Sequence, residues 1–220
     1  EDPVLTELVR LAVDGNRDLQ KARAVVREAR ASRGSARAGY FPTVDGSGSA
    51  ARSTGSENTG SGDTNDLFSL GFDASWELDV FGGVRRSVEA AEADLGAARE
   101  SLHDVLATLT AETARNYMEV RSYQTRLAVA EESLASLRET SELTEARFKA
   151  GLDDELAVLQ AGYNLQASAA AIPTLRTGLE EALNRLAVLA GRQPGELHEM
   201  LDSPQPIPAA PAAASIHAPA

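Results

Sequence analysis

Residues 68–86 read FSLGFDASWELDVFGGVRR, and two different periodicities meet in this stretch. From position 68 to position 78, apolar side chains occupy every second place. The apolar face consists of Phe68, Leu70, Phe72, Ala74, Trp76 and Leu78. This alternation is typical of a β-strand with one apolar side. After Gly82 and Gly83 the alternation ends and a helical pattern begins, so the stretch predicts a strand followed directly by a helix.

The opposite face of this strand is polar and includes Asp73 and Glu77. Upstream, residues 43–51 alternate more weakly. Residues 53–65 are rich in Gly, Ser, Thr and Asn and have no helical pattern, which is typical of a loop. Residues 40–80 are therefore predicted to form a β-hairpin with a long connecting loop.

Downstream, residues 85–150 contain no proline and a single glycine. A helix over this range would be about 100 Å long, so it must lie along other long helices. Apolar residues recur at heptad steps, as in coiled-coil seams. On this helix they are Val120, Leu127, Leu134 and Phe148. Residues 81–191 are predicted to form one long helical hairpin.

The return helix of this hairpin has clear start and stop signals. Gly151 ends the first helix, and Asp153 or Asp154 begins the next. A second heptad ladder follows, with Leu165, Ile172, Leu179 and Leu186. Pro173 lies inside it and is expected to kink the helix or to divide it in two. Gly191 closes it.

The two ends of the chain differ in composition. Residues 1–39 are predicted to be helical, with Asp2 as the cap, Pro3 at the first helical position and a break near Asn16. Either Asn16 or Asp18 could cap the second part. Residues 192–220 become rich in Pro and Ala and are interpreted as a linker.

Composition excludes several classes of function. The net charge is −12, from 21 Lys+Arg and 33 Asp+Glu, which argues against binding to nucleic acid. The absence of cysteine excludes disulfide frameworks, thiol catalysis and zinc ribbons. The three histidines, His103, His198 and His217, share no ligand spacing. We therefore predict no catalytic residue, no metal site and no cofactor.

The alternation alone leaves two interpretations open. The alternating segment from position 68 to position 78 spans 11 residues. This length matches a tilted membrane strand, which needs about 9–11 residues. Apolar side chains on one face and polar ones on the other are typical of an outer-membrane barrel strand. The same pattern suits a strand that covers the core of a soluble domain.

Motifs along the chain favour the membrane interpretation. The sequence resembles the outer-membrane efflux factor family, the TolC/OprM-type channel proteins, and is most similar to its NodT-like lipoprotein branch. The motifs that carry the resemblance are Asp2-Pro3-x-Leu5-x-x-Leu8, Asn16-x-Asp18-Leu19-x-x-Ala22, Phe41-Pro42, Ala74-Ser75-Trp76-Glu77-Leu78-Asp79-Val80-Phe81-Gly82-x-Val84-Arg85-Arg86, Arg147-Phe148-x-Ala150-Gly151-Leu152 and Leu186-Ala187-Val188-Leu189-x-Gly191. The resemblance covers residues 1–204, about half of a typical member, which is built from two tandem repeats. We expect this chain to be the first repeat.

The resemblance implies a mainly α fold, with a long antiparallel helical hairpin and a β-hairpin. It implies a homotrimer in the outer membrane, whose strands contribute to a β-barrel and whose helices form a periplasmic tunnel. Such a channel is a passive export conduit that works with a periplasmic adaptor and an inner-membrane pump. Asp73 and Glu77 are expected to face the lumen. The residues expected to face lipid are Phe68, Leu70, Phe72, Trp76 and Leu78.

The resemblance also assigns a role to the end of the helical hairpin. In the family, this tip meets the adaptor, and here it consists of Arg147, Ala150, Gly151 and Leu152. This chain departs from the family pattern nearby. Asp154 stands where Ser is common, and Ala157 stands where Asp is common. These departures leave the identity of the adaptor open.

Two other classes of protein share parts of the pattern. A structural coiled-coil protein without channel activity would use the strands as a cap. A periplasmic adaptor also carries a long helical hairpin, but its strand segments should flank that hairpin rather than precede it. An enzyme is the class that the sequence favours least.

Overall fold

The computed structural model describes residues 2–55, 58, 60 and 62–208. The chain divides into two compact units. The first consists of Glu1–Lys21 together with Leu102–Ala220, and the second of Ala22–Ser101. The elements in chain order are α1 (Pro3–Gly15), α2 (Arg17–Ala38), β1 (Thr43–Thr54), β2 (Thr64–Ser75), α3 (Gly83–Lys149), α4 (Glu155–Leu189) and α5 (His198–Leu201). The predicted fold class, long helices with one β-hairpin, is confirmed.

The first two helices follow the predicted start and break. Asp2 caps α1 because its Oδ1 accepts hydrogen bonds from the backbone N–H groups of Val4 and Leu5, at 2.8 and 3.2 Å. The break is at Asn16, whose Oδ1 accepts from the backbone N–H of Leu19 at 3.0 Å. Asn16, rather than Asp18, therefore caps α2.

The two strands pair in antiparallel fashion from Thr43–Ser75 to Thr54–Thr64. The predicted hairpin is confirmed, and the strands run further toward the loop than predicted. The connection spans residues 55–63 instead of 53–65. Several of these loop residues lie outside the described part of the chain.

The strand prediction was wrong at its other end, because β2 stops at Ser75 and Trp76, Glu77 and Leu78 lie beyond it. The partner strand explains this end. It begins at Thr43, directly after Pro42, and proline has no backbone N–H to donate to a ladder. Beyond Ser75, β2 has no pairing partner in β1.

Of the two outcomes predicted for Pro173, a kink or a division in two, the division does not occur, because α4 continues through this residue. A proline removes one backbone hydrogen bond and crowds the preceding turn. Packing holds the helix on both sides of this site. Ile172 is buried, and Gly178 lies against the ring of Tyr123, so closely that an added Cβ would lie 2.6 Å from that ring.

The main core lies in the unit formed by the chain ends and residues from 102 onward. It gathers buried residues from α1, α3, α4, α5 and the residues next to them, namely Leu8, Tyr117, Val120, Ala182, Leu183, Leu186, Ala187, Ala190, Leu197 and Leu201. Some seam residues predicted from heptad spacing are buried, whereas Phe148 near the tip is 42% exposed. None of the helices in the described part of the chain combines the length and the apolar character that a bilayer span requires.

Candidate functional site: the exposed hairpin and the helical tip

One face of the hairpin carries large apolar side chains that nothing in its unit covers. Phe68, Leu70 and Phe72 are 78%, 82% and 79% exposed. Across the ladder they lie opposite Ala50, Gly48 and Gly46. An added Cβ on Gly46 would lie 3.4 Å from Cε1 of Phe72, so the glycine leaves room for the ring above the neighbouring strand. Small residues on β1 thus let the large ones on β2 form a continuous apolar face.

The opposite face is polar except at Leu67 and its partner Ala51, which lie near the loop. The hydroxyl groups of Ser49 and Ser69 hydrogen-bond at 2.7 Å across the ladder. Asp45 lies directly opposite Asp73. Two like charges in such a pair repel each other unless water screens them. The hairpin therefore has one face suited to lipid and one suited to water.

Charged and aromatic groups mark the two ends of the apolar face. Arg52 pairs with Asp66 at 3.3 Å near the loop. At the helical end, Trp76 is 58% exposed, and its Nε1–H donates to the carbonyl of Tyr40 at 3.3 Å. The apolar face is therefore bounded at one end by an ion pair and at the other by an aromatic group.

The turn that follows is fixed by Asp79. The backbone N–H of Arg85 donates to Asp79 Oδ2 at 2.9 Å. This bond lowers the pKa of Asp79 below its ordinary value, and the backbone N–H groups of Val84, Gly83 and Gly82 contribute to the same shift. The carboxylate thus caps α3 where the strand region gives way to the helix.

The tip of the helical hairpin is a closed turn with one exposed apolar side chain. Gly151 has φ of 71°, and α3 ends in paired bonds from the N–H of Gly151 to the carbonyl of Phe148 and from that of Leu152 to Arg147, both at 2.9 Å. Arg147 Nε also holds Asp153 at 3.1 Å. Leu152 is 70% exposed. The predicted helix end at Gly151 is confirmed.

Asp154 provides the restart at this tip. It is the N-cap of α4, and its Oδ1 accepts from the backbone N–H of Ala157 at 2.8 Å. Both positions at which the chain departs from the family pattern therefore take part in one capping bond.

A buried polar cluster escaped the sequence interpretation. The hydroxyl of Tyr117 donates to Asp2 Oδ2 at 2.5 Å, and Arg121 Nε donates to Tyr117 Oη at 3.1 Å. Arg121 is fully buried, and its Nη1 donates to Gln124 and to the carbonyl of Ser203, both at 2.8 Å. This cluster fastens the start of α1 and the residues after α5 to α3.

The charges in the cluster affect one another. Burial raises the pKa of Asp2, but bonds from Tyr117, Leu5 and Val4 outweigh it, and the pKa lies below its ordinary value. Burial and the bond to Asp2 raise the pKa of Tyr117. The sequence offers one signal for the cluster, because Arg121 directly follows the buried seam residue Val120. Its partners lie up to 115 residues away, which no local pattern can reveal.

Chemistry at other positions is sparse. Among the described residues, no group of three His, Asp or Glu side chains could hold a metal ion. His198 contacts Glu180 through Nε2 at 2.8 Å. His217 lies outside the described residues. The polar groups described above either cap helices or join one element to another.

A family model described as outer membrane efflux protein matches residues 8–192. Nodulation protein T of Rhizobium leguminosarum bv. trifolii is 33% identical over 207 residues, which is 90% of this chain and 42% of that protein. Cation efflux system protein CusC of Escherichia coli (strain K12) is 30% identical over 190 residues, or 86% of this chain and 41% of that protein.

Solved structures agree with these matches. The outer-membrane channel OprN has a TM-score of 0.82 and 38% identity, covering 94% of this chain and 47% of that one. A CusC structure has a TM-score of 0.77 and 28% identity, covering 100% of this chain and 49% of that one. The chain thus spans about half the length of the relatives it matches. These similarities confirm the family, the fold class and the outer-membrane assignment that the motifs indicated.

Proposed function

The chain belongs to the outer membrane efflux protein family, and we propose from this membership that it forms part of a passive export channel across the periplasm and the outer membrane. The observation that carries the proposal is the hairpin with one exposed apolar face and one polar face. The hairpin would supply strands to a β-barrel in the membrane, and α3 and α4 would supply part of a helical tunnel. Its residues would act by geometry and charge, without catalysis.

Strand number supports the proposal that the channel needs more chain than this one. The described residues contain two strands, and two strands from each of three protomers make six. Outer-membrane barrels start at about eight strands. The channel would be a homotrimer, and a second repeat would therefore have to add further strands to each protomer.

The partners of the channel follow from the same proposal. An inner-membrane pump would supply the energy, and a periplasmic adaptor would connect pump and channel. The relatives include a cation efflux protein, a pyoverdine export protein and a toluene efflux pump protein. Since these names cover unlike cargoes, the class of exported substrate is left open.

Spin labels on neighbouring β2 positions test the membrane assignment. In the full-length protein, a label at Phe72→Cys should be accessible to oxygen dissolved in lipid, and one at Asp73→Cys to a water-soluble relaxing agent. A structural coiled-coil protein would show equal water accessibility at both positions, and that result would refute the proposal. Phe72→Arg should in addition destabilise the assembled channel by about 2–4 kcal/mol if the site lies near the bilayer midplane.

The helical tip is proposed as the docking site of the adaptor. Leu152 would supply an apolar contact, the backbone at Ala150 and Gly151 would be open to the partner, and the bond between Arg147 and Asp153 would hold the turn in shape. Asp154 caps α4 through Oδ1 and stays exposed, so its negative charge would be part of the surface that the adaptor meets.

Two tip variants test this docking site in the full-length protein. Leu152→Asp and Gly151→Pro should abolish efflux while the trimer still assembles. Val129→Asp is the matched control, because Val129 is also exposed, at 60%, but lies far from the tip on α3. Normal efflux with both tip variants would leave Gly151 as a helix cap and nothing more.

A further inference from the structure

A cavity of about 290 Å³ lies between α3, α4 and α5, within the unit that holds the main core. Its inner wall is apolar, because Leu183 and Leu201 are buried there and Leu127 and Leu179 are half-buried. Small-molecule sites in proteins range from about 300 to 1,000 Å³. The cavity therefore has the size and the lining of a site for a small ligand with an apolar body.

Hydrogen bonds hold the walls of this cavity in place. Gln124 Nε2 donates to the carbonyl of Leu201 at 2.6 Å, which ties α5 to α3. The buried Arg121 donates through Nη1 to Gln124 Oε1 and to the carbonyl of Ser203, both at 2.8 Å. These bonds fix the backbone on both sides of Asp202. A site that is already formed loses little conformational entropy when a ligand binds.

The mouth of the cavity is acidic. Glu131, Glu180 and Asp202 line it. Glu131 pairs with Arg176 at 2.9 Å, and Glu180 contacts His198 at 2.8 Å. Asp202 forms no hydrogen bond or ion pair with another residue in the described part of the chain, although its charge acts on His198. Three carboxylates thus face two cationic groups even when the histidine is protonated.

This combination of wall and mouth selects one class of ligand. An anion would be repelled by the carboxylates, and a neutral apolar molecule would make no use of Asp202. A bare metal ion is disfavoured, because no group of three His, Asp or Glu side chains among the described residues could hold one. An ammonium group beside a carboxylate forms a charge-assisted hydrogen bond, while an apolar body can pack on the leucines.

We propose that this cavity binds a small organic cation, with its apolar body against Leu183 and Leu201 and its ammonium group beside Asp202. The proposal goes beyond the channel function, because the cavity is built within one unit of this chain and involves neither the β-hairpin nor the helical tip. It assigns a ligand site to the region where α5 packs on the long helices.

Calorimetry on the full-length protein tests the class of ligand. The probe is 2-phenylethylammonium, and 2-phenylethanol is its uncharged analogue of nearly the same shape. The ammonium compound should bind saturably, and the alcohol should bind about tenfold more weakly because it loses the charge-assisted bond. Partition into detergent gives the same background heat for wild type and variants, so the comparison is made between proteins.

One variant tests the carboxylate. Asp202→Asn should weaken binding of 2-phenylethylammonium about threefold, as expected for a single exposed ion pair. Glu199→Gln is the matched control. Glu199 is also exposed and has no partner in the described part of the chain, but it does not line the cavity.

A second variant tests the location. Ala128 is an exposed residue of α3 that lines the cavity, so Ala128→Leu should fill the space and abolish saturable binding. Ala135→Leu is its control, because Ala135 is equally small and exposed on the same helix but lies outside the cavity. Circular dichroism should show wild-type helicity for all four variants.

Each contrary outcome overturns the proposal. Without saturable binding to wild type, the cavity is no ligand site in the full-length protein, whether it is empty or filled by another part of the chain. If the alcohol binds as tightly as the ammonium compound, or if Asp202→Asn binds like Glu199→Gln, no cation is recognised there. If Ala128→Leu binds like Ala135→Leu, the ligand lies elsewhere. None of these results alters the spin-label test of the hairpin, so the channel proposal stands or falls separately.

Discussion

Helices α3 and α4 end in the same capping motif but in opposite surroundings. At the end of α4, the N–H of Gly191 donates to Val188 at 3.0 Å and that of Arg192 to Ala187 at 2.8 Å, the same pattern as at Gly151. Around Gly151 an added Cβ would meet nothing within 4 Å, whereas at Gly191 it would overlap the carbonyl of Gly15.

The comparison shows that one local rule serves two purposes. At Gly191 the absent side chain lets the ends of α1 and α4 touch through their backbones. At Gly151 the absent side chain only permits the left-handed turn, and the surface around it stays open. The α4 end is therefore a packing site, whereas the surface of the tip stays exposed.

The largest expected effect comes from filling the two glycine positions. Gly191→Ala should destabilise the chain by about 3–4 kcal/mol, because backbone strain and overlap with Gly15 add up. Gly151→Ala should cost only about 1–2 kcal/mol, for the left-handed conformation alone. Urea unfolding followed by circular dichroism measures both. Equal losses would show that the Gly15 contact contributes nothing.

The N-caps near the two sites give a second, smaller comparison. Asn16 is 7% exposed, caps α2, and also donates through Nδ2 to the carbonyl of Leu189 at 3.1 Å. Asp154 makes one exposed capping bond. Asn16→Ala should therefore cost about 2 kcal/mol and Asp154→Ala about 1 kcal/mol.

The same urea unfolding measures these two variants. Asn16→Ser is the control, since its hydroxyl keeps a capping oxygen without the amide donor to Leu189 and without burying a charge, and it should fall between wild type and Asn16→Ala. If Asn16→Ala loses no more than Asp154→Ala, the bond to Leu189 has no net effect on stability.

Local features of this fold follow from the sequence because short-range chemistry determines them. The helix ends at Gly151 and Gly191, the break at Asn16 and the alternation of β2 all depend on residues within a few positions. The prediction for the end of β2 was wrong because this end depends on Pro42, which lies before the partner strand. The unbroken course of α4 through Pro173 likewise depends on packing against α3.

Contacts between distant parts of the chain mark the limit of such inference. The bond from Tyr117 to Asp2 spans 115 positions, and Arg121 reaches Ser203 across 82. At the candidate site, the exposure of Phe68, Leu70 and Phe72 agrees with a lipid-facing role. Which of the faces meets lipid stays a prediction.

The smallest expected effect compares an ion pair near the α4 end with one at the tip. His198 contacts Glu180 at 2.8 Å, and Arg147 contacts Asp153 at 3.1 Å. The bond to Glu180 and then that to the carbonyl of Gly195 raise the pKa of His198 above its ordinary value, and Asp202 adds to the effect. Arginine and aspartate side chains ordinarily keep their charges between about pH 6 and 9, so only the histidine pair should respond there.

The sign of the response follows from the direction of the shift. With a raised folded-state pKa, the stabilisation is fully present below about pH 6.5 and is lost as the pH rises through that raised value. Because both side chains are about half exposed, the change should stay below about 1 kcal/mol. Urea midpoints measured from about pH 6 to 9 should fall more steeply for wild type than for His198→Gln or Glu180→Gln. If all three proteins show the same slope, the pair does not link α5 to α4 in solution, and the α4 end is held by its apolar core and backbone contacts alone.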